Sequence, residues 1–174
     1  MFKRARFDAH YREHYPRVRG LCRYLLGPDE DPEDAAQEVF ERGLKAFSRF
    51  RSADAFAPWI NTIARNFCID RIRERQRTAA VFTADESAEP DALEDPADCP
   101  AGQLISAHSA AAVTTAVQQL PDRYRVPLVL AYYSDASYAE IAEQLEIAPG
   151  HVGVLLLRAR QRLRQALNQQ EAPQ

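Results

Sequence analysis

Residues 137–167, SYAEIAEQLEIAPGHVGVLLLRARQRLRQAL, decide the fold of the C-terminal part of this chain. Ser137 precedes an apolar-periodic run and Glu140 stands three residues on, the spacing of a capping box. The helix so opened reaches Leu145. Pro149 and Gly150 open a second helix, which runs to about Leu167. A helix-turn-helix needs apolar residues where its two helices cross and a small residue at the tightest approach. Counted from Tyr138, the crossing positions are Ile141, Leu145, Ile147, Val152 and Leu155, and Ala142 is the small residue. The turn ordinarily takes glycine, because it needs a left-handed backbone; Glu146 stands there. The second helix carries Arg158, Arg160, Arg162 and Arg164 with no acid before Glu171, which suits a phosphate-contacting face. An ordinary amphipathic hairpin with a solvated arginine face satisfies the same spacing.

Working outward, Asp122 caps a helix that reaches about Tyr133, and Leu120-Pro121 stops an alanine-rich helix spanning Gln103 to Gln119. Upstream of that the composition changes. Residues 78–103 hold no base and seven acids: Asp85, Glu86, Glu89, Asp91, Glu94, Asp95 and Asp98. They also hold Pro90, Pro96 and Pro100 and few large apolar residues, too little to offset chain entropy. The segment reads as a flexible acidic linker, with a long surface loop inside one domain as the alternative.

Residues 1–77 read as helical too. Tyr11, Tyr15, Val18, Leu21, Cys22 and Leu25 recur at helical spacing between Phe7 and Leu26, with Pro16 as a candidate interruption and Gly27-Pro28 as the stop. Asp31-Pro32-Glu33-Asp34 joins a cap, a first-turn proline and acids that suit the helix dipole. That helix runs to about Phe47, with Ala36, Val39, Phe40, Leu44 and Phe47 on its buried stripe. A third runs from about Ala55 to Arg77 on Phe56, Trp59, Ile60, Ile63, Phe67 and Ile72. No period-two run, hairpin dipeptide or internal repeat competes with this. The expected fold class is therefore all-α: two small helical domains, 1–77 and 104–174, joined by an acidic linker at 78–103.

Composition narrows the function. The chain's formal net charge of −3 argues against nucleic-acid binding only if the charge is uniform. Residues 1–77 carry 16 bases and 12 acids, a net of +4, while residues 104–174 are balanced at six of each. The excess acid lies in the linker. No apolar run approaches a membrane span, and the basic N-terminus lacks a secretory signal. Three dispersed cysteines, Cys22, Cys68 and Cys99, exclude a disulfide scaffold and suit a reducing cytoplasm. Cys22 and Cys68 suit buried positions. No glycine-rich phosphate loop or hydrolase constellation is present, so neither an enzyme nor a cofactor is expected. His10 and His14 stand at metal-ligand spacing, but two ligands without support fall short of a site, and no metal is expected.

The N-terminal part carries a second nucleic-acid signature. Phe50-Arg51-Ser52-Ala53-Asp54-Ala55-Phe56-Ala57-Pro58-Trp59 sets aromatics beside a polar loop, and Arg65, Asn66, Asp70, Arg71, Arg73, Arg75 and Arg77 follow on the helix. Aromatics stack on unpaired bases, arginines hold phosphates and an asparagine reads a base edge. Phe56 and Trp59 fall on the apolar stripe, which favours core positions for both. Glu33, Asp34, Gln37, Glu38 and Glu41 form an acidic face that repels DNA and suits a basic protein partner, or is simply solvated.

In this order, these residues resemble the extracytoplasmic-function sigma factors of bacterial RNA polymerase. The likeness runs through Asp31 to Phe40, Phe50-Arg51, Trp59 to Asp70, Leu120 to Arg125, Ser137 to Ala142 and Arg158 to Leu163. It implies a promoter-specificity subunit that works with core RNA polymerase, touching the clamp helices of the largest subunit and the flap. Asp34, Gln37, Glu38 and Glu41 would bind the clamp helices. Phe50, Arg51, Asn66, Asp70, Arg71 and Arg73 would melt and capture the −10 element. Tyr138, His151, Arg158, Arg160 and Arg162 would contact the −35 element. The linker would thread towards the RNA exit channel, and an anti-sigma factor would hold the protein inactive. One departure stands out: Gly153, Val154 and Leu155 occupy positions that are commonly basic or hydroxylic in the family. Either the contact rests on His151, the arginines and thymine methyls, or the apolar start of this helix binds protein. A stand-alone helix-turn-helix regulator and a decoy that sequesters an anti-sigma factor are the competing readings.

Overall fold

A computed structural model describes residues 2–50, 55–80, 109–134 and 136–171 of the chain, and every regular element among them is helical. Among these residues no helix is long and apolar enough to cross a membrane. The chain divides into two compact units, Met1–Glu74 and Arg75–Gln174.

The first unit is built from α1 (Phe2–Leu26), α2 (Pro32–Ala46) and most of α3 (Phe56–Ala80). α1 continues through Pro16, which is exposed and forfeits the bond to the Arg12 carbonyl without ending the helix. It ends where Gly27 turns to φ 73°, a left-handed conformation that costs glycine little. The Asp31 side chain then accepts a hydrogen bond of 2.7 Å from the Glu33 amide, with Pro32 opening α2. Val18, Leu21, Leu25, Ala36, Val39, Phe40, Ile60, Ala64 and Phe67 fill the core.

The stripe on α2 differs from the expectation at one position. Leu44 is 42% exposed, and Gly43 takes the buried place beside it. A Cβ on Gly43 would stand 2.9 Å from Cδ1 of Ile60, so α2 and α3 approach through the missing side chain, leaving Leu44 at the edge. α3 also runs on to Ala80, three residues into the segment assigned to the linker. The rest of that segment, from residue 81, lies outside the described residues, as does Cys99.

The second unit holds α4 (Ala110–Gln118), α5 (Asp122–Tyr133), α6 (Tyr138–Leu145) and α7 (Pro149–Glu171). α4 starts later than the expected Gln103: the Ser109 hydroxyl accepts from the Ala112 amide at 3.2 Å and caps it, while residues 103–108 lie outside the described residues. α7 packs against α4, α5 and α6. Its buried positions are Val152, Leu156, Ala159, Leu163 and Leu167. Leu156 thus takes the crossing place expected for Leu155, which is only half-buried. Arg125, 3% exposed, is the buried polar residue of this core. Its guanidinium donates to the carbonyls of Leu120 at 2.9 Å and Gln118 at 3.3 Å and to the Asp122 carboxylate. It thereby satisfies carbonyls that the end of α4 leaves without helical partners.

Candidate nucleic-acid and partner-binding faces

Three faces gather the residues singled out above. The first lies on α2. Asp34, Gln37, Glu38 and Glu41 line one shallow surface groove together with Arg42 and Lys45. Glu38 is tied to Arg42 at 2.7 Å, one turn on, so part of its charge is already answered. Glu33 turns away and pairs with Arg19 of α1 at 2.9 Å. The acidic face is therefore narrower than its sequence, with two bases at its rim. Arg42 also lies over the Phe67 ring at 4.7 Å.

The second face is aromatic. Phe7 makes edge contacts with Phe40, Phe47 and Phe56, anchoring the latter two in the core. Phe56 is 1% exposed, as expected. Trp59 is not in the core: it is half-buried at the rim, tilted 32° against the half-buried Phe50 with ring centroids 4.9 Å apart. Phe50 also stacks on Phe47 at 5.7 Å. Arg51 lies outside the described residues. At helical spacing along α3, Trp59 is followed on the same face by Asn66, Asp70 and Arg73, the first two exposed and Arg73 half-buried. Arg71 points elsewhere. It binds Glu30 at 3.0 Å and lies over Phe67, tying α3 to the turn before α2.

The third face is the helix-turn-helix formed by α6 and α7. The capping box is complete: the Ser137 amide donates to Glu140 Oε2 at 2.8 Å and the Glu140 amide to Ser137 Oγ at 3.3 Å. Glu146 adopts φ 57° and ψ 40° in the glycine-like position. The Ile147 amide bonds the Ala142 carbonyl at 3.0 Å, closing a Schellman-type turn. Tyr138, 52% exposed, lies against Gly153, where an added Cβ would sit 3.9 Å from its ring. His151 is exposed in the first turn of α7.

The arginines of α7 do not form one face. At about 100° per residue, His151, Arg158 and Arg162 fall on one flank of the buried stripe, and Gly153, Arg160 and Arg164 on the other. Arg162 lies over the buried Tyr124 ring at 4.8 Å, which holds it towards α5. Two residues take a structural role that side-chain spacing alone does not mark. Arg125 sets the α4–α5 junction, and no side-chain pattern marks it because two of its partners are backbone carbonyls. Lys45 joins the acidic groove, legible only once the helical phase of α2 is fixed.

Comparison with known proteins decides the family. The Sigma-70 region 2 profile matches residues 10–78 and the Sigma-70 region 4 profile residues 110–163. The ECF RNA polymerase sigma factor SigW of Bacillus subtilis is 30% identical over 155 residues, covering 87% of this chain and 83% of that protein. The chain belongs to the ECF sigma factors. The RNA polymerase sigma-H factor of Pseudomonas aeruginosa is likewise 30% identical, over 95% of this chain and 87% of its own length. A solved structure of the sigma factor RpoE from Bartonella quintana, in complex with the anti-sigma factor NepR, shares the fold with a TM-score of 0.58 at 21% identity. It covers 93% of this chain and 96% of its own. As an ECF sigma factor the protein is an alternative sigma factor of transcription initiation. Region 2 contains the acidic groove and the aromatic rim, and region 4 the helix-turn-helix.

Proposed function

We propose that this sigma factor binds core RNA polymerase through the α2 groove of Asp34, Gln37, Glu38 and Glu41, reaching the clamp helices of the largest subunit. The flap is the second contact on the polymerase. The −10 strand is captured at the aromatic rim, with Phe50 offering a ring to an unstacked base and Asn66, Asp70 and Arg73 on the same face of α3; Arg51 and Arg71 complete the proposed set, and Arg71 must leave Glu30 to take part. The −35 duplex meets Tyr138, His151, Arg158, Arg160 and Arg162 of region 4. An anti-sigma factor holds the free protein inactive, and the site of action is the cytoplasm. Support for this control comes from the shared fold of a sigma factor solved in complex with an anti-sigma factor.

The observation that carries the reading is the half-buried Phe50–Trp59 pair, which leaves aromatic faces at the start of α3 beside a polar stretch. A structural core would have closed over them. Run-off transcription with reconstituted holoenzyme tests it. Phe50→Ala is expected to keep polymerase binding and lose promoter opening by about tenfold or more, the scale of one lost base stack. A double Asp34→Lys, Glu41→Lys change is expected to lose polymerase binding itself. Tight binding of duplex promoter without polymerase, and no co-purification with it, would instead identify a stand-alone regulator. Polymerase binding without transcription from any mapped start would identify a decoy.

A further inference from the structure

We infer that His10, Glu13 and His14 form a binding site on α1 for a first-row transition-metal ion of the zinc type. Positions i, i+3 and i+4 share one face of a helix, and α1 is a continuous 25-residue helix here. The imidazole nitrogens of His10 and His14 and a carboxylate oxygen of Glu13 all lie within 4.8 Å of one another. The sequence alone offers only the histidine pair; the structure adds the third ligand and the support.

Both imidazoles rest on a fixed floor. The His10 ring is stacked on Phe56 with centroids 4.3 Å apart and planes 9° apart, and His14 lies over the same ring at 5.3 Å and 23°. The two imidazoles are nearly parallel, 17° apart with centroids 6.1 Å apart, and Phe47 meets the edge of His10. Ligand atoms up to 4.8 Å apart must draw closer to share one ion with bonds of about 2.0–2.1 Å, so the side chains turn over the buried Phe56 ring as the ion binds. Glu13 approaches from the solvent side. Its side chain is 69% exposed and its Oε2 lies 3.8 Å from Nε2 of His14. Two imidazoles and a carboxylate suit zinc, nickel or copper and do not suit magnesium, which prefers an all-oxygen octahedron. Three ligands leave one tetrahedral position open to water. His10, Glu13 and His14 are not among the proposed promoter or polymerase contacts, although Phe47 and Phe56 link them to the aromatic rim, so the test is run without either partner.

The full-length protein is titrated with Zn2+ while the imidazole NMR signals of its four histidines are followed. One equivalent is expected to shift the signals of His10 and His14, with micromolar affinity, and to leave His151 alone. Glu13→Ala, an exposed change that keeps the helix, is expected to weaken binding by about tenfold. A His10→Ala, His14→Ala double variant should abolish it, and Mg2+ at the same concentration should shift nothing. Binding that leaves the His10 and His14 signals unmoved, or that survives the double variant, overturns the assignment and points to the cysteines. An absence of micromolar binding overturns it as well.

Discussion

At the scale of single residues, the buried Cys68 thiol is expected to make stability fall at alkaline pH. Cys22 of α1 and Cys68 of α3 are fully buried. The hydrogen bond that Cys68 shares with Cys22, reinforced by burial, pushes its thiol well above the ordinary cysteine range. The folded state therefore keeps a proton that the unfolded chain releases near pH 8.5 or so. Stability from this group is complete below that pH and is lost as pH rises towards the folded value, by at most about 1.4 kcal/mol per pH unit. Trp59 is the only tryptophan and reports on this unit. In urea unfolding followed by its fluorescence, the midpoint is expected to fall between pH 7.5 and 9.5, and Cys68→Ala should lessen that fall. An equal fall in both proteins would show that other groups carry it. Tyr15, pushed up by its burial and by neighbouring Tyr11, adds a slope of the same sign at higher pH.

Among the elements, α7 makes the sharpest departure, because Gly153 stands where a polar or basic residue is commonly found. The glycine shares its flank with Arg160 and Arg164 and lies under the Tyr138 ring at ordinary contact distance, so a side chain fits there. Gly153→Lys is expected to strengthen binding to duplex DNA and to steepen the slope of log affinity against log salt by about 0.9, one added phosphate contact, with little base preference. Fluorescence anisotropy across a salt series measures it. An unchanged slope would turn that flank away from phosphate and leave the half-buried Val154, Leu155 and Leu157 as a protein-facing surface. What was legible in these elements was local: the Asp31 cap, the Ser137–Glu140 box and the left-handed Glu146 follow from near neighbours in sequence. What was not legible depended on which helix stood opposite. Leu44 and Gly43 are adjacent on α2, and only the approach of Ile60 tells which is buried. Trp59 matches the apolar stripe of α3, yet its ring ends at the rim because Phe56 and Phe47 already fill the space behind it. For α7 the run of arginines reads as one face until the helical angle separates them.

Across the whole chain, the excess acid is concentrated in one stretch, and the expected consequence is that DNA affinity is withheld from the free protein. The seven acids of residues 78–103 turn a chain that would carry +4 into one that carries −3. At physiological salt the screening length is about 8 Å, so acids act on a DNA-facing surface only when the chain brings them near it. Read as a linker joined to both units, the acidic stretch would hold its charge at high local concentration around each. Changing Asp85, Glu86, Glu89, Asp91, Glu94, Asp95 and Asp98 to their amides is expected to raise the affinity of the isolated protein for non-specific duplex by about tenfold at 0.05 M salt or so, with the gain vanishing near 1 M. In the holoenzyme the same change should raise initiation from non-promoter templates relative to a promoter, because non-specific contact is then less strongly opposed. Anisotropy with the free protein and run-off transcription with the holoenzyme separate the two effects. If the amide variant binds duplex no better than the native chain at low salt, the acids do not shield the basic faces. Weak binding by the free protein, if found, would then come from the faces themselves: arginines split across α7, Arg71 committed to Glu30, and Arg162 held over Tyr124.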